Sequence, residues 1–350
     1  MASFRPDYLL RLRFGAAEIG AIRRLGEARG RQELLARRQP GPLDALRARA
    51  LLESTGSSNR IDGVVAPNDR LQDLVVKRAE PRGRFEQEVA GYRDALQLIH
   101  QTHASIPFTV NVVLQLHQML YRYEPGTGGR WKAADLQIVE RDDTGRPLHV
   151  RFDPTPAALT PAAMAALTDG YREASNAAIA DPLVLVPLAI LDFLCVHPFS
   201  QGNGRVARLL TLLLLYKVGY QIGRYVSLER IVEESRDAYD AALERSSQGW
   251  HHNAHDAMPW LSYFWDVLIR AHDEFESRGA SRLRSKTDQV RAAVLARSGA
   301  FGMLAIVDDC PGVSRDMVRH VLRQMRADGL VGVEGRGRAA RWQNTGAART

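Results

Sequence analysis

Residues 197–208, HPFSQGNGRVAR, join two strongly apolar stretches whose patterns predict α-helices. Pro198 ends the first of these helices, because the residue before a proline avoids helical geometry. Gly202 and Gly204 permit a sharp loop and the close approach of a ligand to backbone N–H groups. The second helix starts directly after the loop, so its free N–H groups form an anion site. The stretch therefore predicts a phosphate-binding loop between two core helices.

Three side chains add chemistry to this loop. Arg205 and Arg208 stand three residues apart on the first turn of the second helix, where two guanidinium groups can grip phosphate oxygens. His197 lies at the edge of the loop and can take a proton near neutral pH. Together these features are typical of a nucleotidyl-transfer site. The alternative is an Asn-Gly turn between core helices with His197 as a capping residue.

Length and composition limit the class of protein. The 350 residues allow two or three domains, and 45% hydrophobic with 25% charged residues excludes a disordered or fibrous chain. No apolar run approaches the ~20 residues that span a bilayer, and the N-terminus does not resemble a signal peptide. The two cysteines, Cys195 and Cys310, predict neither a disulfide framework nor a metal site. We therefore expect a cytoplasmic protein with no membrane partner.

Helical periodicity dominates the first 280 residues. A Pro-Gly-Pro turn at residues 40–42 is predicted to separate the N-terminal helices from a second helix over about residues 43–54. Between residues 126 and 156, apolar alternation on both sides of Asp143-Thr144-Gly145 predicts a β-hairpin. The predicted fold is all-α with one β-hairpin flap, followed by a small C-terminal winged-helix domain over residues 281–350.

The excess of positive charge lies entirely in that C-terminal part. The formal net charge of the chain is +7, and residues 281–350 contain 13 basic and 6 acidic residues. Three short helical patterns and two β-patterned pieces follow one another there, as in a winged helix. The arginines predicted to meet DNA lie on the third helix and at the tip of the hairpin: Arg315, Arg319, Arg323, Arg336 and Arg338. The alternatives are a solvated basic face or a surface for a protein target or a second subunit.

The loop and its surroundings resemble the Fic (Fido) family of protein nucleotidyltransferases. The signature of that family is His-Pro-Phe-x-Asp/Glu-Gly-Asn-Gly-Arg-x-x-Arg, and residues 197–208 match every specified position except Gln201. The resemblance covers roughly residues 1–280, including the hairpin at 130–152. It implies a Fic-type helical bundle, with an N-terminal helical region over residues 1–105 and a Fic catalytic core over residues 106–280.

The resemblance implies the chemistry and its residues. His197 would deprotonate a Tyr, Thr or Ser hydroxyl of a target protein, which attacks the α-phosphate of ATP and releases pyrophosphate. The loop would hold the α- and β-phosphates, the two arginines the β- and γ-phosphates, and Phe199 would anchor the loop. The implied nucleotide-binding set is Phe199, Ser200, Gln201, Gly202, Asn203, Gly204, Arg205, Arg208 and, near the adenine, Tyr239. The implied docking flap, which aligns the target by strand addition, contains Arg130, Trp131 and Lys132.

Gln201 stands where the family has an acid that holds Mg²⁺. A neutral amide oxygen is a weaker ligand for this cation than a carboxylate, so Mg²⁺ or Mn²⁺ would be held mainly by the phosphates. One alternative is therefore a weakly active or inactive Fic-like nucleotide-binding regulator that binds DNA through its winged helix. Another is a Fic-type transferase of a different phosphate-linked group.

Residues 58–63, SNRIDG, resemble the inhibitory motif Ser/Thr-x-x-x-Glu-Gly/Asn of the family. The glutamate of that motif pairs with the second signature arginine, here Arg208, and blocks productive placement of the γ-phosphate. Asp62 replaces the glutamate and reaches about 1.5 Å less far, one C–C bond. The resemblance assigns Ser58 and Asp62 to inhibition, and the N-terminal position implies the self-inhibited class. The alternative is an ordinary helix end with an Asp-Gly turn.

Overall fold

The computed structural model describes residues 2–38, 40–124, 126–141, 146–283, 286–297, 299–310, 312–335 and 340–345. These residues are mainly helical and contain two small antiparallel sheets, which confirms the predicted fold class of helices with one flap-like strand pair. None of the described helices combines the length and the apolar character that a bilayer crossing needs.

The helices and strands have a fixed order along the chain. The first helices are α1 Pro6–Leu9, α2 Ala16–Arg38, α3 Pro40–Ile61, α4 Asn68–Val75, α5 Arg84–Thr102 and α6 Val110–Leu120. Next come β1 Ile138–Arg141, β2 Pro147–Phe152, α7 Thr160–Asn176, α8 Pro182–Val196, α9 Asn203–Lys217, α10 Leu228–Glu234, α11 Arg236–Ser247 and α12 Met258–Leu283. The remaining elements are α13 Lys286–Leu295, β3 Phe301–Gly302, α14 Met303–Asp309, α15 Arg315–Ala327, β4 Val331–Glu334 and β5 Arg341–Asn344.

The chain divides into two compact units, residues 1–274 and 275–350. In the first unit α5 packs against both α3 and α6. Helices on both sides of the predicted domain boundary between residues 105 and 106 therefore belong to the same compact unit. A separate N-terminal region over residues 1–105 therefore stays a prediction. The second unit begins a few residues before the predicted boundary at residue 281.

Helices α8 and α9 position the phosphate-binding loop. Every side chain of α8 from Leu183 to Val196 is buried, because this helix is apolar nearly all round. The polar exception is Asp192, whose Oδ1 accepts hydrogen bonds from Ser3 Oγ and Trp250 Nε1, both at 2.6 Å. Burial raises the pKa of Asp192 to about 6. The loop thus connects two helices whose positions are set by the core.

The predicted turn at residues 40–42 is wrong. These residues form the first turn of α3, where a proline is tolerated because its missing N–H would have no helical partner. Helix α3 also continues past the predicted end at residue 54 to Ile61. Its last turns keep helical geometry because their polar side chains are buried and bonded: Ser54 Oγ donates to Glu229 Oε2 at 2.7 Å, and Asn59 Nδ2 donates to the Thr55 carbonyl at 2.8 Å.

The predicted hairpin is present as the antiparallel pair β1 and β2. Val139 pairs with Val150 and Glu140 with His149, and register irregularities lie on both sides of these two pairs. Its predicted turn, residues 143–145, lies outside the described residues. His251 holds the end of β2, because its ring stacks on Phe152 at 5.4 Å and its Nε2 bonds to the Asp153 carbonyl at 2.7 Å.

The described residues of the second unit contain the end of α12, the helices α13, α14 and α15, and a three-stranded sheet of order β3-β5-β4. Its core consists mainly of aliphatic side chains from α13, α14, α15 and β4. The winged-helix interpretation stays a prediction, since the predicted wing tip with Arg336 and Arg338 lies outside the described residues. Arg315, Arg319 and Arg323 are all exposed on α15, opposite the buried face of that helix.

Candidate active site

The loop holds its shape through two residues with left-handed backbone conformations. His197 caps the C-terminus of α8 with φ 48°, and its N–H donates to the Phe193 carbonyl at 2.9 Å. A non-glycine residue in this region stores strain of about 1–3 kcal/mol, which is common at functional sites. Gly202 caps α9 with φ 79°, where a Cβ would lie 2.9 Å from Leu120 Cδ2. Gly202 therefore meets both a conformational and a steric requirement for glycine.

Asn203 closes the loop from inside. Its Oδ1 accepts from the Phe199 N–H at 2.9 Å, and its Nδ2 donates to the Phe199 carbonyl at 2.7 Å. This pair of bonds works only with a side-chain amide, which both donates and accepts. Phe199 is fully buried, as its predicted anchoring role requires. Asn203 is buried as well and acts here as a loop brace.

His117 supports the same loop from α6, a contact that the sequence analysis missed. Its ring stacks on Phe199 with centroids 3.8 Å apart. Its Nδ1 accepts from the Gly129 N–H at 2.9 Å, so its Nε2 is the donor to the Gln201 carbonyl at 3.2 Å. Burial is the main cause that lowers the pKa of His117 to about 4. A neutral imidazole thus holds the loop at Gln201.

The environment of His197 keeps its imidazole neutral. Burial and, to a smaller degree, the charge of Lys132 lower the pKa of this imidazole to about 4, although the Leu194 carbonyl and Asp62 act in the opposite direction. The imidazole is therefore neutral at pH 7 and able to accept a proton. It lines a cleft together with the loop residues 201–204 and with Asp62.

Asp62 reaches this cleft from the end of α3. The Gly63 N–H donates to the Arg60 carbonyl at 3.0 Å and the Val64 N–H to the Asn59 carbonyl at 2.9 Å, with Gly63 at φ 78°. These two bonds form a Schellman motif in which Asp62 is the C-cap residue. The helix end therefore fixes the carboxylate at a defined point over the cleft.

The carboxylate of Asp62 binds both signature arginines. Its Oδ1 lies 2.8 Å from Arg208 Nη2, and its Oδ2 lies 3.2 Å from Arg205 Nε. Burial raises the pKa of Asp62, but the charges of Arg208 and Arg205 outweigh it and hold the pKa below its usual value. Asp62 is thus ionised at neutral pH. The shorter side chain reaches both guanidinium groups because the Schellman turn brings its backbone close.

The same carboxylate lies over the glycine loop. A Cβ on Gly204 would stand 2.9 Å from Asp62 Oδ1 and 3.1 Å from Arg208 Nη1. Ser58 completes the contact, since its Oγ accepts from Arg208 Nε at 2.7 Å and its carbonyl accepts from Arg208 Nη2 at 2.8 Å. An anion therefore already occupies the space beside Arg208 and Gly204, and it belongs to the chain itself.

The two signature arginines have different surroundings. The guanidinium group of Arg205 is 3% exposed, and its Nη1 pairs with Glu88 Oε2 at 2.5 Å. Its Nη2 donates to Tyr121 Oη at 3.0 Å, and its Nη1 also meets Asn59 Oδ1 at 3.4 Å. Arg205 is therefore held mainly by protein acceptors, with Glu88 as a buried carboxylate that the sequence analysis did not identify.

Gln201 does not offer a free ligand for a divalent cation. Its Oε1 accepts a hydrogen bond from Arg84 Nη2 at 3.0 Å, so a guanidinium group already lies at this amide oxygen. Within the described part of the chain, no group of three or more His, Cys, Asp or Glu side chains is placed to bind a metal ion. The residues at this position therefore do not fit a protein-bound Mg²⁺.

Tyr239 lies in an apolar cavity beside Arg208, which also lines it. Its ring packs edge-on against Trp260 and Tyr263 at centroid distances of 5.4 and 5.8 Å. Burial is the main cause that raises the pKa of Tyr239 to about 12. The cavity has the aromatic character that a base would need, and its assignment to adenine stays a prediction.

The implied flap residues do not lie on the hairpin. Trp131 stacks on Phe199 at 5.3 Å, and Lys132 is buried with its Nζ donating to the Val196 carbonyl at 3.1 Å. The Lys132 N–H also donates to the Pro198 carbonyl at 2.9 Å, which uses the group that strand addition would need. The alignment of a target by Lys132 stays a prediction, and in this structure both of its donors bond to carbonyls at the loop. Arg130 alone of the three is exposed.

The fold and the cleft combine three features: a helical bundle, a glycine-containing loop between two core helices with a neutral imidazole at its edge, and a β-hairpin. The family model described as the Fic/DOC family matches residues 107–215. Residues 107–215, which contain α8, the loop and most of α9, therefore match the Fic/DOC family.

Relatives and solved structures agree with this assignment. A "Protein adenylyltransferase Fic" of Nematostella vectensis is 25% identical over 169 residues, 47% of this chain and 37% of that protein. A "Protein adenylyltransferase fic-1" of Caenorhabditis elegans is 27% identical over 143 residues, 39% of this chain and 25% of that protein. The chain therefore spans only 25% to 37% of the length of these relatives.

A structure of a Fic family protein from Desulfovibrio desulfuricans G20 has a TM-score of 0.63 at 22% identity, and covers 97% of this chain and 99% of that one. The Fic-1 structure from C. elegans has a TM-score of 0.60 at 19% identity, and covers 77% of this chain and 74% of that one. At these identities the two structures show a common fold.

Proposed function

We propose that this protein transfers AMP from ATP to a hydroxyl side chain of a target protein. One observation carries the proposal: a neutral imidazole, His197, shares a cleft with the loop residues 201–204, and the guanidinium group of Arg208 lies beside Gly204. A base next to a phosphate cradle is the arrangement that nucleotidyl transfer needs. The relatives named as protein adenylyltransferases support the same reaction.

Groups that line the cleft account for the proton that moves and for the phosphates that are held in this reaction. The His197 imidazole takes the proton from a Tyr, Thr or Ser hydroxyl as its oxygen forms a bond to the α-phosphorus. The bond from the α-phosphorus to the bridging oxygen breaks, and pyrophosphate leaves with the electron pair. The loop N–H groups and Arg208 hold the phosphates. Mg²⁺ or Mn²⁺ would be bound by the triphosphate of ATP, and none of the roles given to His197, the loop and Arg208 depends on the metal ion.

Asp62 and Ser58 inhibit this reaction in the proposed resting state. An ATP phosphate that approached Arg208 would have to displace a carboxylate that holds two guanidinium groups. Two charge-assisted bonds of about 1.5–3 kcal/mol each make this displacement costly. The inhibitory element belongs to the N-terminal helix α3, so the protein falls into the self-inhibited class.

The proposal is tested with ATP that carries a radioactive α-phosphate. Wild type, Asp62→Gly and Asp62→Gly/His197→Ala are compared with Mg²⁺ and with Mn²⁺, and label is sought on the protein itself and on lysate proteins. We expect label with Asp62→Gly that disappears when His197 is also replaced. ATP binding without any transfer by Asp62→Gly would contradict the proposal. A label from another α-labelled nucleoside phosphate, with none from ATP, would favour a different transferred group.

A second candidate function, a DNA-binding regulator that holds nucleotide, is favoured by the exposed arginines of α15. Arg315, Arg319 and Arg323 all lie on the exposed face of a helix whose other face is buried. Such a row can meet a phosphate backbone, with or without catalysis at the cleft. Contact with a second subunit and docking of a protein target are alternative functions of the same face. A gel shift with DNA distinguishes DNA binding from these two.

A further inference from the structure

A guanidinium group occupies the position that the family gives to a metal site. Arg84 stands at the start of α5, and its Nη2 donates to Gln201 Oε1 at 3.0 Å. Both side chains line the cleft that also contains His197 and the loop residues 202–204. At position 201 this protein therefore has a neutral amide oxygen that is bonded to a guanidinium cation. The family has an acid at this position, which holds a divalent cation.

The charges around Arg84 leave it able to bind an anion. Its Nε lies 3.2 Å from Glu88 Oε1 and 3.9 Å from Glu124 Oε2. Glu88 also compensates Arg205, to which its Oε2 is bound at 2.5 Å. One carboxylate thus serves two arginines at this end of the cleft. A guanidinium has five N–H donors, and the contacts to Glu88 and Gln201 use only two of them.

The arrangement at Gln201 suits phosphate better than it suits a metal ion. A divalent cation at the Gln201 oxygen would lie beside a guanidinium, and like charges at this distance repel. Phosphate oxygens, in contrast, match the fork of an arginine and gain charge-assisted hydrogen bonds. The arginine is half exposed, with 55% of its side chain accessible, so it can turn toward a bound nucleotide without unfolding the site.

We propose that Arg84 replaces the divalent cation: its guanidinium binds phosphate oxygens of ATP over the loop, with Gln201 as the residue that positions it. The inference rests on the proposed function in taking ATP as the nucleotide. Its consequence is that ATP binds this protein without Mg²⁺. During transfer the same fixed positive charge stabilises the electron pair that leaves with pyrophosphate.

The test measures ATP binding by calorimetry in EDTA and in Mg²⁺. All proteins carry Asp62→Gly, so that the inhibitory carboxylate does not compete with ATP. The parent is compared with Arg84→Gln, with Arg84→Gln/Gln201→Glu and with Arg82→Gln. Arg82 is an exposed neighbour outside the cleft, and its replacement matches the loss of one positive charge.

We expect the parent to bind ATP equally well in EDTA and in Mg²⁺, within about threefold. Arg84→Gln weakens binding at least about tenfold in both media, as expected for a lost charge-assisted contact, and Arg82→Gln does not. Arg84→Gln/Gln201→Glu regains affinity in Mg²⁺ alone, because a carboxylate now serves the metal ion.

Two results would overturn the inference: ATP binding by the parent that requires Mg²⁺, or equal affinities of Arg84→Gln and Arg82→Gln in EDTA. The label-transfer experiment distinguishes this failure from that of the proposed function. Arg84-dependent binding without AMP transfer contradicts the transferase alone, whereas transfer with no effect of Arg84→Gln contradicts the inference alone. No ATP binding in either medium contradicts both.

Discussion

At the scale of single residues, the cleft is organised by carboxylates that neutralise arginines. Asp62 faces Arg208 and Arg205, and Glu88 faces Arg205 and Arg84. Asp62 lies next to the loop and can be displaced by a phosphate, whereas Glu88 is buried and bound to a buried partner. In the proposed inhibition, Asp62 is therefore the carboxylate that ATP displaces, whereas Glu88 supports Arg205.

The role of Glu88 predicts a large stability effect. Glu88→Ala leaves the buried guanidinium of Arg205 without its nearest carboxylate, and breaking a buried pair in this way costs about 3–5 kcal/mol. Urea unfolding of the first unit measures this loss. Glu80→Ala, an exposed control, should change the unfolding free energy by less than about 0.5 kcal/mol. Similar values for the two variants would show that Arg205 relies on Asp62 and Tyr121 instead.

The imidazole of His197 should titrate at an unusually low pH. Because burial lowers the pKa of its imidazole to about 4, the ring should stay neutral as the pH falls from 7 to 5. NMR of the ATP-free protein with labelled histidine measures the midpoint, and His197→Ala identifies the signal by its loss. A midpoint near the ordinary value of 6.5 would mean that the imidazole is solvated and that the described cleft is more open than observed.

At the scale of secondary-structure elements, the loop between α8 and α9 depends on its internal brace. Asn203→Ala removes both buried bonds to the Phe199 backbone and leaves an N–H and a carbonyl unpaired, at a cost of about 2–4 kcal/mol. Asn203→Asp keeps the acceptor but places a second carboxylate oxygen against the Phe199 carbonyl in a buried site, so it should lose at least as much stability as Asn203→Ala. Thermal unfolding checks the order, and a smaller loss for Asn203→Asp would show that the bond from the Phe199 N–H dominates.

The hairpin of β1 and β2 carries two exposed apolar side chains, Leu148 at 59% and Val150 at 43% exposure. If a target pairs with this hairpin, Leu148→Ser/Val150→Ser in the Asp62→Gly background should lower label transfer to lysate proteins about tenfold. ATP binding should not change, because these side chains lie outside the nucleotide cleft. Unchanged transfer to every labelled target would place target docking elsewhere.

At the scale of the whole molecule, buried histidines make the first unit sensitive to acid. Burial lowers the pKa values of His117, His255 and His272 to about 4 each. Their contribution to stability is complete above the unfolded pKa of about 6.5 and is lost as the pH falls through 6.5 toward 4. Asp192 offsets part of this loss, because its pKa is raised to about 6 and its protonation favours the fold.

We therefore expect the unfolding free energy of the protein to fall by several kcal/mol between pH 6.5 and pH 4.5. Urea unfolding over this range measures the slope. His272→Gln should flatten it, whereas replacement of the exposed His252 should not. An equal slope in all three proteins would mean that these imidazoles are protonated in the folded state.

The basic face of the second unit predicts salt-dependent binding to DNA by the full chain. Retardation of operon DNA in a gel should weaken steeply as salt rises, because phosphate contacts release counterions. Replacement of Arg315, Arg319 and Arg323 by Gln should reduce both the affinity and the salt slope, by about one unit of slope per lost phosphate contact. No retardation at low salt would remove the DNA-binding candidate and leave protein docking for this face.

The sequence by itself determined the glycine-containing loop, the order of the two core helices and the strand pair, whereas the pairing of residues 58–62 with Arg208 was implied by the resemblance to the Fic family. These features depend on local rules: proline and glycine end helices, periodicity distinguishes helix from strand, and the signature spacing places arginines on one helical turn. Even the reach of the shorter Asp62 followed from a local cause, the Schellman turn that Gly63 allows.

Only the tertiary structure decided which side chains from distant helices complete the cleft. Arg84, Glu88 and His117 belong to no motif, and they reach the loop because α5 and α6 pack beside α9. Tertiary packing also buries Lys132, whose Nζ and N–H donate to the Val196 and Pro198 carbonyls. Such contacts join residues more than 60 positions apart, and no local pattern encodes them.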